Sequence, residues 1–344
     1  MIRYIRYLLS ALLVPVTIEC AVRVDDLISY GAPFLQNFNQ DSLYEFDELG
    51  QRGKPNARYL KWQLNNLGFR GPDLVEDSER IGVVGSSETF GLYEGPDHEW
   101  PREVEKCANS GASHTNTQVV NFAFPGMLLS TFERRLPEFL DKTKPGRVII
   151  YPSFVGYFYR DLTDPFGNKP PAPQGAHRFE LRLMSRAQEV IKKLMPSFVQ
   201  DYLRKRQLAK AANATAKVYD VVPEEYLEIF HQDLVRVIEK LRSRSVEPIL
   251  VTHATYFGDR VEAGDMGMLV AWRKFYPMLK EDGFLDLENK FNAVLKEEAR
   301  KKNIKLVDLA SEIPRGPDFF ADFTHFTDKG AEFAGKKICE GVKR

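Results

Sequence analysis

Three stretches of this 344-residue chain hold side chains whose types and order suit covalent catalysis. Residues 83–91 read VVGSSETFG and put Ser87 in a glycine-flanked turn after an apolar run. Residues 121–126 read NFAFPG, and residues 319–330 read FFADFTHFTDKG, where Asp322 stands three places before His325. A serine hydroxyl is a weak nucleophile until a base within hydrogen-bond reach accepts its proton, and the base needs an acceptor to hold its tautomer. Ser87, His325 and Asp322 are the residue types for those three roles. Each stretch alone carries little weight, because Ser, Gly and Asn are common turn residues. The case depends on whether the fold carries all three to one place.

The elements that would do so are legible. Five short runs, RIGVVG (80–85), QVVNFA (118–123), RVIIYP (147–152), EPILVT (247–252) and IKLVDL (304–309), are rich in β-branched residues and lack clean alternation, as strands covered on both faces do. Apolar stripes at helical spacing separate several of them: Leu128, Phe132, Leu136, Phe139 and Leu140, with Pro137 expected to kink that helix; Leu227, Phe230, Leu234, Val237, Ile238 and Leu241; and Leu287, Phe291, Val294, Leu295 and Ala299. Strands alternating with helices imply a parallel sheet with right-handed crossovers, and ligands bind such a sheet beyond the carboxyl ends of its strands. Read together, the segments that follow the strands place Ser87, Asn121 to Gly126, Ser153 to Tyr157, His253, and Asp322 with His325 on one edge.

That set of blocks resembles the SGNH (GDSL-type) hydrolase superfamily. Gly85-Ser86-Ser87-Glu88-Thr89-Phe90-Gly91 is similar to its first block, GDSxTxG, Asn121 to Gly126 to its second, NxGxxG, and Asp322-Phe323-Thr324-His325 matches the closing DxxH; NNLGFRGPD (65–73) looks like the lead-in of exported bacterial members. The resemblance covers roughly residues 45–156 and 230–340. It implies an α/β, three-layer flavodoxin-like fold with a five-stranded parallel sheet, an acyl-serine intermediate on Ser87, and ester hydrolysis or transfer with no metal and no organic cofactor. It also implies an oxyanion hole built from the backbone N–H groups of Ser87 and Ala123, helped by Asn121. Three departures stand out: Ser86 replaces the usual aspartate, Ala123 stands where the second block usually has glycine, and YPSFVGYF (151–158) lacks the third block, GxND, with Val155 near the expected asparagine. Asn121, Ser153 and Tyr157 are the candidates to replace that missing donor. Glu88 is expected to be solvated and His253 to be a structural or pocket-wall histidine. Phe154, Tyr157, Phe158 and Tyr159 suit either a substrate pocket or the core.

Composition narrows the remaining choices. Lys plus Arg and Asp plus Glu both number 48, so no global basic field argues for nucleic acid. Cys20, Cys107 and Cys339 form no metal-ligand spacing, and ordinary buried thiols are expected, a single Cys107–Cys339 bridge being open to an exported chain. Arg3 and Arg6 before an apolar stretch from Tyr7 to Ile18 suit a signal or membrane-anchor segment over 1–23 and an extracytoplasmic location, with membrane association through residues 7–22; a packed cytoplasmic helix is the alternative. Residues 24–79 read as an arm, and 80–344 as the hydrolase-like domain with a helical insertion at about 157–226. Within it, 176–217 hold ten basic against three acidic residues. The expected function is a serine esterase acting on an acylated carbohydrate or other small ester. An O-acyltransferase modifying a surface polysaccharide and a non-catalytic glycan binder that keeps the fold are the alternatives.

Overall fold

The computed structural model describes residues 2–110, 116–159, 181–184, 186–187, 219–257, 261, 263–276 and 278–343. In chain order the described elements are helix α1 (Ile2–Tyr30), two small antiparallel hairpins β1–β2 (Tyr44–Asp47, Gly50–Gly53) and β3–β4 (Arg58–Tyr59, Trp62–Gln63), then β5 (Glu79–Val84), α2 (Ser87–Phe90), α3 (Trp100–Asn109) and β6 (Thr117–Asn121). They continue with α4 (Leu129–Thr143), β7 (Arg147–Ile150), α5 (Glu224–Ser243), β8 (Glu247–Val251), α6 (Met266–Phe275), α7 (Glu281–Lys301), β9 (Lys305–Val307), α8 (Leu309–Glu312) and α9 (Asp328–Lys343).

Every one of the five apolar runs is a strand, and they form one parallel sheet in the order β6-β5-β7-β8-β9. The absence of polar alternation has a direct cause, since both faces are covered. Ile81, Val83, Ile149, Ile249 and Val251 point to a core shared with Trp100 and Val104 of α3 and Ile338 of α9. Their neighbours Val84, Val148, Ile150 and Leu250 point to the opposite core with Phe132 and Leu136 of α4, Phe230 and Leu234 of α5 and Phe291 of α7. This is the three-layer α/β arrangement with flavodoxin-like strand order, whose order reverses beside its first strand, β5. The three apolar stripes are buried faces of α4, α5 and α7. Pro137 lies inside α4 without ending it.

The segment between α1 and β5 is bound tightly to the body. Leu43, Leu64 and Phe69 belong to the core, and Phe69 meets the rings of Phe122 and Phe139 edge-on at 5.0 Å. The fully buried Arg135 of α4 donates from Nε to the Gln51 carbonyl at 2.8 Å and from Nη2 to Gly50 at 2.6 Å, stitching hairpin β1–β2 to the helix layer. Tertiary contact gives these residues an order that no local periodicity encodes.

One expectation changes and one open choice is resolved. Cys107 of α3 and Cys339 of α9 form a disulfide instead of standing as free thiols. The sequence leaves them 232 residues apart, and only the packing of α3 on α9 makes them neighbours. Phe154 and Tyr157 are core residues packed on Phe230 and Phe291, not pocket lining. The N-terminal basic and apolar segment is the first part of α1, and no helix among the described residues is long and apolar enough to cross a membrane. Of the expected insertion, 182–184 and 186–187 are helical and α5 begins at Glu224, while the rest of the basic region and most of the insertion fall outside the described residues.

Candidate active site

The turn after β5 is shaped by Gly85. A Cβ there would stand 1.9 Å from Thr89 Oγ1 and 2.8 Å from the Tyr151 carbonyl, so only glycine allows the strand to turn at once into α2. Ser86 takes the cap position, Ser87 is the first helical residue, and Gly91 in the left-handed region ends the turn. The Ser87 side chain thereby stands at the carboxyl edge of β5, beside the point where strand order reverses.

The histidine arrives on the loop before α9. Phe320 and Phe326 are buried and pair across the loop, and the His325 carbonyl accepts from the Ala321 N–H at 2.8 Å. Asp322 Oδ1 accepts the N–H groups of Thr324 and His325 at 2.9 and 2.8 Å, a local Asx turn that fixes the carboxylate before it meets the ring. Thr327 then caps α9, accepting the Gly330 N–H at 3.1 Å. The result is a continuous chain: His325 Nδ1 stands 2.8 Å from Asp322 Oδ2, and His325 Nε2 stands 2.8 Å from Ser87 Oγ. With Nδ1–H held by the carboxylate, Nε2 presents its lone pair to the serine hydroxyl.

Electrostatics support that proton distribution. Burial pulls the His325 pKa down, but the Asp322 hydrogen bond and the charges of Glu88, Asp322 and Glu94 outweigh it and raise the group above the ordinary histidine value. Asp322 shows the reverse: burial pushes its carboxyl up, and the bonds and charge of His325 with two backbone amides bring it below the usual range. Glu94 is buried with no ion-pair partner among the described residues, and burial pushes its carboxyl to about 7.

Below the serine lies a feature that was not legible. Glu88, expected in solvent, is 2% exposed. Its Oε1 accepts from Ser153 Oγ and Thr324 Oγ1 at 3.2 Å each and lies 3.4 Å from His253 Nε2, while Oε2 lies 3.4 Å from Ser87 Oγ. His253 Nδ1 in turn lies 2.8 Å from Glu288 Oε2. The ring is packed between Tyr151 and Phe154, at 5.1 and 5.0 Å. Burial alone would neutralise His253, yet the two carboxyl groups raise it to about 10, and its bond and charge hold Glu88 at about 2 against the opposing effect of burial. Glu288 goes the other way, pushed up by burial and by the Glu88 charge.

Of the residues expected at the oxyanion hole, Ala123 and Asn121 are engaged with protein neighbours. Ala123 and Asn121 are both completely buried, and they bond to each other: the Ala123 N–H donates to Asn121 Oδ1 at 3.1 Å, while Asn121 Nδ2 donates to the Thr89 carbonyl at 2.8 Å. Both brace the loop against α2, the Ala123 N–H and one proton of the Asn121 amide being taken up in doing so. Tyr157 is bonded to Asp233 and Ser153 to Glu88, so they supply no substitute. The amide that does reach the nucleophile turn is that of Gly126, which donates to Ser86 Oγ at 3.0 Å from a backbone with φ of 77°. Its signal in the sequence was the glycine closing NFAFPG, at the end of the block instead of its middle. Among the described residues no group of His, Cys, Asp or Glu could hold a metal ion.

No family model and no curated protein matches the chain. Solved structures similar to it include a putative lipolytic protein of the G-D-S-L family from Desulfitobacterium hafniense, 17% identical with a TM-score of 0.42 over 77% of this chain and 99% of that one. A lipase/acylhydrolase from Enterococcus faecalis is 16% identical with a TM-score of 0.46 over 77% and 95%. A catalytic mutant of the acetylxylan esterase Axe2 from Geobacillus stearothermophilus is 12% identical with a TM-score of 0.46 over 78% and 95%.

Proposed function

We propose that this chain is an SGNH-type serine esterase that works through an acyl-serine intermediate. The observation carrying the reading is the unbroken Ser87–His325–Asp322 hydrogen-bonded chain at the carboxyl edge of the sheet. Ser87 Oγ attacks the acyl carbon as His325 Nε2 takes its proton, and Asp322 stabilises the imidazolium so formed. The carbonyl oxygen becomes an oxyanion held by the N–H groups of Ser87 and Gly126, the latter leaving Ser86 Oγ. Collapse expels the alcohol, which takes the proton from His325, and leaves the acyl group on Ser87. Water, or a sugar hydroxyl, then gives its proton to His325 as it attacks the acyl carbon, and His325 returns that proton to Ser87 Oγ as the acyl–serine bond breaks.

An acylated carbohydrate is the substrate class we favour. Supporting it, the half-buried rings of Tyr59 and Trp62 stack at 5.7 Å, and Trp62 Nε1 donates to the Gly91 carbonyl beside α2 at 3.2 Å. Next to this platform is a cavity of about 470 Å³ lined by Arg58, Lys61, Arg70, Arg102, Pro96 and Asp97 among others. The loop that supplies Pro96 also supplies Tyr93, whose ring lies 5.1 Å from that of His325. Hydrolysis and transfer share every step up to the acyl-enzyme. Incubation with an acetylated oligosaccharide and a second, unacylated glycan separates them, since an esterase releases acetate and a transferase yields the newly acylated glycan. A fluorophosphonate probe that fails to label Ser87 in the folded protein leaves the non-catalytic binder as the surviving reading.

Because the His325 pKa is raised, the base is protonated and inactive up to a pH above the ordinary histidine value. The acid limb of kcat/KM for a p-nitrophenyl ester is therefore expected above about 6.5, and the rate should rise with pH through that limb. A limb at or below pH 6 would contradict the charge distribution described.

We place the enzyme at a lipid surface. Supporting this, the second half of α1 is inverted relative to a soluble helix: Glu19, Arg23 and Asp26 are its buried positions, while Val24, Leu27 and Ile28 are exposed. Arg23 Nε donates to Glu19 Oε1 at 2.6 Å, the N–H groups of Arg182 and Leu183 donate to the Glu19 carboxylate, and Arg182 Nη1 donates to Asp26 at 3.2 Å. Leu181 and Met184 are also exposed, so both segments turn apolar side chains outward around one exposed ion pair, Arg186 with Asp25, an arrangement suited to the interface of a bilayer. The full chain is expected to float with phosphatidylglycerol-containing vesicles, and Leu27→Asp with Ile28→Asp to weaken that binding about tenfold or more. Recovery of wild type entirely in the unbound fraction would exclude the placement.

A further inference from the structure

The Ser87–His325–Asp322 chain accounts for one carboxylate. The buried group of Glu88, His253 and Glu288 is left over, and its geometry is too ordered to be incidental. A carboxylate that is 2% exposed needs compensation, and Glu88 receives it from three directions: the Ser153 hydroxyl on the β7 loop, the Thr324 hydroxyl between Asp322 and His325, and the His253 ring at the end of β8. Thr324 Oγ1 also lies 3.2 Å from His253 Nε2, so it accepts from the ring while donating to Glu88. Both ring nitrogens of His253 thus face oxygen atoms, Glu288 on one side and Thr324 with Glu88 on the other, an arrangement that suits the doubly protonated imidazolium. The His253 backbone is locked as well, its N–H and carbonyl paired with the side-chain amide of Asn292 at 2.9 Å each.

We propose that Glu88 is a second carboxylate partner of the Ser87–His325 pair: a fixed negative charge beneath the nucleophile, kept ionised by the buried His253 imidazolium, that stabilises the imidazolium formed on His325 during acyl transfer. The inference rests on the serine-esterase reading for its catalytic meaning, but its electrostatic content stands on the network alone. Glu88 is a positioning residue here. The Ser87 hydroxyl has a single proton, and at 2.8 Å His325 is the nearer acceptor, Glu88 being 3.4 Å away. The carboxylate therefore acts through its charge on His325 and by limiting the serine rotamer, with no proton transferred to it. A neutral residue after the serine would leave His325 with its hydrogen-bonded carboxylate, Asp322, and the more distant charge of Glu94.

The other charged groups around the site act in known directions. Asp322 and Glu94 reinforce Glu88 in raising His325. Glu288 and Tyr151 face the network from α7 and β7, and Arg315 acts on both of these from the loop after α8. The Glu88 charge is next to the serine, so its removal is expected to lower the His325 pKa even with Asp322 intact.

The test is a histidine side-chain NMR titration of the full chain, with the His325 resonance among the six histidines assigned by His325→Gln. Glu88→Gln and His253→Gln are both expected to lower the His325 titration by about 0.5–1 pH unit, His253→Gln doing so because Glu88 then takes up a proton. In parallel, the acid limb of p-nitrophenyl ester hydrolysis moves down by the same amount while the plateau rate falls. A merely structural role lowers stability and leaves both midpoints in place. Unmoved His325 titration in folded Glu88→Gln overturns the proposal; movement there with none in His253→Gln overturns the part assigned to His253. If Glu88→Gln does not fold, His253→Gln decides alone. Failure of wild type to react with a fluorophosphonate removes the esterase reading separately, since the NMR measurement needs no turnover.

Discussion

Ser87→Ala is expected to abolish fluorophosphonate labelling and to lower kcat for a p-nitrophenyl ester by about 10⁴-fold or more, equivalent to about 5.4 kcal/mol of transition-state stabilisation. His325→Gln is expected to fall to the same floor, and the double variant to fall no further, because a nucleophile and its base act as one unit. The fold should not register the change. Ser87 is half-buried, and its hydroxyl bonds only to groups in the site, so the melting temperature should stay within about 2 °C of wild type. Retained labelling in Ser87→Ala would place the reactive group elsewhere and dissolve the role given to the 2.8 Å contact with His325. A serine whose loss unfolds the chain would be structural.

Removing the Cys107–Cys339 bridge is the largest expected effect on stability. The bond closes a loop across a sequence separation of 232 residues, and constraining so long a segment in the unfolded chain is worth about 2–5 kcal/mol. Cys339→Ala, or full-length protein under reductant, should melt roughly 5–10 °C lower. The consequence reaches the site by a short route. Cys339 is in α9, α9 begins at Asp328, and the loop just before it carries Asp322 and His325. Activity below the lowered melting temperature should persist, because Thr327, Phe320 and Phe326 hold that loop independently. An unchanged melting curve in reductant would mean that the packing of α3 on α9 suffices alone.

Most of the fold was legible because each strand is buried on both faces, which makes its residues apolar without interruption, and each major helix is buried on one, which imposes its stripe. The residues around Ser87, Asp322 and His325 were legible for a related reason: the Gly85 turn and the Asx turn at Asp322 are built from neighbours in sequence. Where a placement was not legible, it depended on how the folded loop turns its amides: the Ala123 N–H is held by its near neighbour Asn121, while the Gly126 N–H reaches Ser86, 40 residues back. The residues before β5 looked like an arm because their order comes from Arg135, Phe122 and Phe139, far along the chain.

The amino-acid sequence by itself determined the strand and helix order, the turn that lifts Ser87, and the acid and base that close the chain, because backbone dihedrals and hydrophobic periodicity are local properties. Tertiary structure alone decided that Glu88 is a buried anion and not a solvated one, and that two cysteines are joined. The charge state of a buried group is set by whatever the fold presses against it, and for Glu88 that is His253, 165 residues away.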